Sequence, residues 1–157
     1  MINTAIKLAT KAHAGQLYGT GEPYIVHPTQ AASMASKLGY PEEVIAACYL
    51  HDVLEDTEVT EYDLRKLFSD VVVDAVLAVT FLNKNPIAKM DKAMSHPIGH
   101  VVKFCDTSCN FANVVIFGPA KGKTMQDVVV RYTYYLSRLS ENIPSVKEIT
   151  AYLKELE

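Results

Sequence analysis

The segment His51-Asp52-Val53-Leu54-Glu55-Asp56-Thr57 sets a histidine beside an aspartate and follows the pair with two more acids. In a helical reading, Glu55 and Asp56 lie one turn beyond His51 and Asp52, on the same two faces. One imidazole and three carboxylates then share a small volume. They repel one another and are costly to bury unless a cation neutralises them. The chemistry this suggests is metal-dependent hydrolysis; the bland counterpart is a solvated helix end that happens to be acidic.

A metal site needs ligands from more than one element. His27 stands directly before Pro28, at the expected entrance of a helix, where a side chain can point back into a pocket. Asp106 interrupts the mostly apolar stretch Val101-Val102-Lys103-Phe104-Cys105-Asp106. A buried carboxylate there demands a partner. Together His27, His51, Asp52 and Asp106 offer two nitrogens and two carboxylates with room for water, a set that suits manganese, iron or zinc. Glu55 or Asp56 could then take a proton from the attacking water or orient it. Asn110 and Asn113 follow Asp106 at one-turn intervals and could offer amide hydrogen bonds to a ribose or base.

The elements that must position these residues are helical nearly throughout. Apolar residues from Ile2 to Ala12 keep a period near 3.6, which predicts a first helix to about His13. A loop from Gly15 to His27 follows, and Pro28 opens a second helix that Gly39 ends. Pro41 starts a third helix carrying His51 and Asp52 near its C-terminal end. Thr60 with Asp63 resembles a capping box for a short helix to about Phe68, and Asp70 to Val79 continues as another helix, although the valine run alone could pass for a strand. Lys84 to Ser95 reads as a polar, irregular loop. Pro97 to about Val114 returns to helix, and Phe117 to Lys123 is a second glycine-containing loop. Thr124 with Asp127 caps a helix to about Ser140, and Pro144 starts the last one. The expected fold is all-α, one helical domain over residues 1–157.

Composition narrows the setting. The chain has 157 residues, 49% of them apolar, enough for one core and too few for two comfortable domains. A formal charge of -3 gives no field favouring nucleic acid or an anionic membrane. The N-terminus lacks a signal-peptide pattern, and the apolar run from Val71 to Leu82, interrupted by Asp74, is too short to span a bilayer. Cys48, Cys105 and Cys109 lack a zinc-type spacing and read as packed thiols of a reducing compartment. The expected location is cytoplasmic, and the sequence is compatible with a homo-oligomer.

Taken together, Ala12-His13-Ala14-Gly15-Gln16, Gly21-Glu22-Pro23-Tyr24-Ile25-Val26-His27-Pro28, Ala46 to Thr57, and Lys103-Phe104-Cys105-Asp106 with Asn110 resemble the HD-domain phosphohydrolases, in particular the alarmone hydrolases of the RelA/SpoT type. The resemblance implies an HD-domain helical bundle with His27, His51, Asp52 and Asp106 as ligands of one manganese ion per chain. It implies that Glu55 and Asp56 handle the attacking water, and that Asn110 contacts the nucleotide. The implied reaction removes pyrophosphate from the ribose 3′ position of (p)ppGpp. Larger members carry a synthetase domain after this one, so the chain resembles a small stand-alone hydrolase.

The departures from the family concern substrate. Where the family has a base-stacking cation after the Gly-Gln pair, this chain has Leu17-Tyr18, so Tyr18 is the candidate for stacking. Thr107, Cys109 and Ala112 stand where basic or aromatic residues are usual. Lys121 and Lys123 in the second glycine loop are the remaining candidates to meet phosphate, although loop lysines are ordinarily solvated. The lost charge keeps open a phosphatase acting on NADPH or a deoxynucleotide, and a non-catalytic module binding a nucleotide or partner; the complete acidic set argues against the latter. His13 is expected to pack or cap, His96 and His100 to lie on a solvated face, and Tyr132, Tyr134 and Tyr135 to help close the core.

Overall fold

A computed structural model describes residues 1–19, 21–81 and 85–156. Its helices are α1 (Ile2–Ala12), α2 (Val26–Lys37), α3 (Glu42–Leu50), α4 (Val53–Asp56), α5 (Glu61–Arg65), α6 (Asp70–Val79), α7 (Pro86–Met94), α8 (Pro97–Phe117), α9 (Met125–Ser140) and α10 (Val146–Glu155). The described residues contain no strand; one isolated antiparallel bridge joins Leu17 and Pro23 in the loop before α2.

α3 is the hub, packing against α1, α2, α6 and α8. Val44, Ala46, Ala47, Cys48 and Leu50 are all buried, as expected of a helix that is apolar all round. Small residues let its neighbours come close: Ala5 and Ala9 on α1, and Ala31, Ala32 and Ala35 on α2, are fully or almost fully buried. α2 ends where predicted, with Gly39 at φ +84, a left-handed backbone that glycine adopts without a Cβ clash.

The expected caps form where the cap residue lies a few positions from its partner. Thr60 with Asp63 and Thr124 with Asp127 each form the reciprocal box, and Ser145 with Glu148 forms a third just after Pro144.

Outside the His51-Asp52 segment, three expectations differ from the structure. α2 begins at Val26, so His27 sits within its first turn and does not precede it. The stretch expected as a loop from Lys84 to Ser95 contains α7; Lys84 itself lies outside the described residues. Asn85 caps α7, its Oδ1 accepting from the amides of Ile87 (3.0 Å) and Ala88 (3.3 Å), and Pro86 fills the first turn. Met90 and Ala93 form its buried face, a spacing that the charges of Lys89, Asp91 and Lys92 obscured. His100 is buried, not solvated, with its Nε2 2.7 Å from the Leu139 carbonyl.

Gly99 sits where α8 leaves no room for a side chain. A Cβ there would meet Ala78 Cβ at 2.9 Å and the Ala93 carbonyl at 3.1 Å. Neither can retreat without moving a helix. Gly99→Ala is therefore expected to lower stability by about 1–3 kcal/mol, read as a shift in urea midpoint at unchanged slope. An unshifted midpoint would mean that α6, α7 and α8 pack less tightly than described.

Candidate metal centre

His51 and Asp52 do not lie within one continuous helix. α3 stops at Leu50, His51 is its C-cap, and Asp52 is the N-cap of α4. The side chain of His51 helps end the helix: its Nδ1 lies 2.8 Å from the Cys48 carbonyl, one of the last acceptors of α3. Asp52 starts the next turn, its carbonyl accepting from the amides of Glu55 (3.2 Å) and Asp56 (2.9 Å). The His-Asp pair is thus held at a joint, where both side chains turn the same way.

α2 brings His27 and α8 brings Asp106 to that joint. His27 Nε2 lies 3.1 Å from Asp106 Oδ1 and 3.8 Å from Asp52 Oδ2. His51 Nε2 lies 2.9 Å from Asp52 Oδ2 and 3.7 Å from Asp106 Oδ1. Ligand atoms of His27, His51 and Asp106, all buried, fall within 4.8 Å of one another.

The donor set fits a cation. With Nδ1–H of His51 given to the Cys48 carbonyl, Nε2 presents its lone pair to the carboxylates. That Nε2 is buried with no hydrogen-bond partner. Lone pair against carboxylate is repulsive unless a proton or a metal ion lies between them. The electrostatics agree: burial opposes a charge on His51, but the Asp52 and Asp106 carboxylates outweigh it and raise the imidazole well above its ordinary value. Burial likewise opposes the charges of Asp52 and Asp106, yet His51 holds Asp52 low, and Lys103 with the two histidines holds Asp106 well below the carboxylate range.

This sets a pH dependence. His51 is raised in the folded protein, so in metal-free protein its stabilisation is complete below the unfolded histidine value of about 6.5. It is lost as pH rises through the folded value. Asp52 and Asp106 act in the opposite sense, losing theirs as pH falls through their depressed values. An ion held by His51 Nε2 would displace its proton, so affinity is expected to rise with pH and loading near neutrality to release about one proton per ion. Calorimetry in buffers of different ionisation enthalpy checks this; loading without proton release would remove His51 from the ligand set.

Surrounding groups hold the carboxylates in place. Asn110 Nδ2 donates to Asp106 Oδ1 (2.6 Å), and the Lys103 ammonium donates to Asp106 Oδ2 (2.6 Å). Tyr24 donates to Asp52 Oδ2 (2.7 Å), and its hydroxyl lies 3.3 Å from Asp56 Oδ2. Burial and the Asp52 carboxylate push the Tyr24 phenol upward, so it stays a donor. Glu55 turns toward α7, where Lys89 bonds both its oxygens at 2.8 and 2.7 Å.

The side chains expected to meet the nucleotide touch one another and the metal candidates. The Tyr18 ring lies parallel to His27, with centroids 5.0 Å apart, and its hydroxyl donates to Asn110 Oδ1. One face of Tyr18 is thereby occupied by a candidate metal ligand. Asn113 is buried and donates to Gln30 Oε1 at 2.9 Å. A cavity of about 430 Å³ opens beside both, with Phe117 and Lys121 among its lining; Lys123 is not on its wall. His13 packs as expected, stacked on Tyr24 with Nδ1 2.8 Å from Gln16 Oε1. Tyr132 and Tyr135 line a smaller cavity at Asp106, and Tyr134 is half exposed.

Sequence reasoning passed over Tyr24, Lys89 and Lys103. Tyr24 lies within Gly21–Pro28 and Lys103 within Lys103–Asp106, whereas the polar residues around Lys89 conceal the helix that carries it.

Known proteins resemble this chain to different extents. A model of the HD domain matches residues 5–99. The guanosine-3′,5′-bis(diphosphate) 3′-pyrophosphohydrolase of Haemophilus influenzae is 43% identical over 77 residues, 49% of this chain and 11% of that protein. The GTP pyrophosphokinase of Myxococcus xanthus is 42% identical over 84 residues, 54% of this chain and 11% of that one. The chain thus spans about a tenth of the length of these curated relatives. Among solved structures, a metazoan ortholog of SpoT superposes with a TM-score of 0.78 at 21% identity, covering 98% of this chain and 94% of its own. A protein from Listeria monocytogenes gives 0.62 at 26% identity, over 87% of this chain and 96% of its own. These likenesses in fold accompany a family match over more than half of the sequence, and the chain belongs to the HD-domain family.

Proposed function

We propose that this protein is a manganese-dependent hydrolase that removes the 3′-pyrophosphate of (p)ppGpp, giving GDP or GTP and pyrophosphate. The observation that carries the reading is the buried cluster of His27, His51 and Asp106, with the partly exposed Asp52 beside it and His51 Nε2 left unpartnered and aimed into it. His27, His51, Asp52 and Asp106 would hold the ion. When bound, such an ion eases deprotonation of water and neutralises charge at the phosphoryl group under attack. Relatives named as 3′-pyrophosphohydrolases support the choice of substrate.

The chain's own residues divide the remaining work. Tyr24 fixes the orientation of Asp52 and reaches Asp56. Asp56 and Glu55 accept the proton of the attacking water or orient it. Water adds at phosphorus as the bond to the ribose 3′ oxygen breaks, and that oxygen takes up a proton on leaving. The cavity beside Tyr18 is of a volume suited to a nucleoside, with Asn113 and Lys121 on its wall and Asn110 holding the Tyr18 hydroxyl.

Ala112, standing where the family has arginine, favours a second reading, a phosphatase on another nucleotide such as NADPH or a deoxynucleotide. A panel of ppGpp, NADPH and deoxynucleotides, supplied with manganese and followed by product identification, separates the two. Pyrophosphate with GDP is expected from ppGpp. Release of single phosphate from another nucleotide, with ppGpp intact, would select the second reading.

A further inference from the structure

Lys89 holds a residue that ought to be free. Its ammonium bonds both oxygens of Glu55, at 2.8 and 2.7 Å, although Glu55 is the carboxylate assigned to the attacking water. The two side chains are only 25% and 16% exposed, so neither charge could stand alone there at low cost.

The same lysine borders a cavity of about 120 Å³, with Lys103, Asp106, Thr107, Asn110 and Tyr132 among its other walls. At about 30 Å³ per water, it takes roughly four waters or one phosphoryl group, and is far too small for a nucleotide. Its two cations are not equivalent. Lys103 lies at 2.6 Å from Asp106 Oδ2 and supports a candidate metal ligand. Lys89 supports no ligand. A lysine ammonium is a compact charge with three donors on a flexible stem, so Lys89 can give a hydrogen to an incoming anion before it leaves Glu55.

We propose that Lys89 is an exchangeable counterion, which restrains Glu55 until a phosphoryl group entering this cavity takes over the ammonium and frees the carboxylate for the attacking water. The inference rests on the role given to Glu55 under the proposed function. One anion replaces another on Lys89, so the lysine is never left buried without a partner. Glu55 then stays within the field of Lys103, the ammonium that also holds Asp106. Substrate arrival would thereby switch on its own base.

Inorganic phosphate titrated into metal-loaded full-length protein at fixed salt tests this without turnover. Lys89→Met should weaken phosphate binding by about 10-fold, the scale of a hydrogen bond to a charged group. Glu55→Gln should strengthen it by up to about 5-fold, since the competing carboxylate is gone. The gain should vanish when Lys89→Met is added. A strut that only joins α4 to α7 predicts otherwise: both variants lose melting temperature, and phosphate affinity stays level or falls in Glu55→Gln. That result would overturn the proposal. Should Lys89→Met fail to fold, Lys89→Gln takes its place, because losing a carboxylate also lessens repulsion of phosphate and only a gain that needs the Lys89 ammonium marks exchange. Opposite shifts in the two variants alongside intact ppGpp would leave the exchange standing and remove the alarmone reading.

Discussion

His51→Ala is expected to bind no divalent ion under conditions where the parent protein binds about one per chain, and to lose its activity entirely. The substitution removes the unpartnered Nε2 from the middle of the site and takes the cap from the Cys48 carbonyl. The cap is worth about 1–3 kcal/mol if that carbonyl is left unsatisfied, so some loss of stability accompanies the loss of metal. The two effects separate in the melting curves. Metal should raise the parent's melting temperature, because only the folded chain presents the site, and should leave that of His51→Ala unmoved. Asp106→Asn keeps nearly the same volume and removes a charge on which Lys103 and both imidazoles depend. It should likewise lose the ion. Full occupancy in either variant would contradict the assignment.

The second large effect is on turnover alone. Glu55→Gln and Asp56→Asn retain shape and hydrogen bonding, and neither residue is among the four ligand candidates. Each should keep most metal affinity while losing at least about 100-fold in kcat, the usual scale of a general acid-base group. The pair need not be equal. Asp56 lies near the Tyr24 hydroxyl and Glu55 is bound by Lys89, so their environments already differ. A variant with near-normal kcat would release that residue from preparing the water.

What could be read from the sequence follows from the range of the interactions involved. Thr60 with Asp63 and Thr124 with Asp127 announce helix starts because the cap partner is three residues away. Asp70–Val79 is helical with the expected bounds, although its valine run alone could pass for a strand. The metal candidates emerged from residue types that a buried core tolerates only in combination, and the fold brings the four together from α2, the α3–α4 joint and α8. His100 was misjudged because the acceptor that makes its burial tolerable is 39 residues away. α7 was missed because charged residues outweighed the Met90 and Ala93 spacing, and with it went the cation facing Glu55. Tyr18 was expected to offer a bare ring to a base, but its stacking on His27 and its bond to Asn110 arise from a loop whose path no periodicity encodes.

The central claim is that one ion at His27, His51, Asp52 and Asp106 drives hydrolysis of the alarmone. Metal-stripped protein titrated with manganese in the presence of ppGpp tests it most directly, with bound ion and released pyrophosphate measured in the same samples. Pyrophosphate release should rise in proportion to occupancy and level off at about one ion per chain. Full activity in stripped protein, or intact ppGpp at full occupancy, would contradict it.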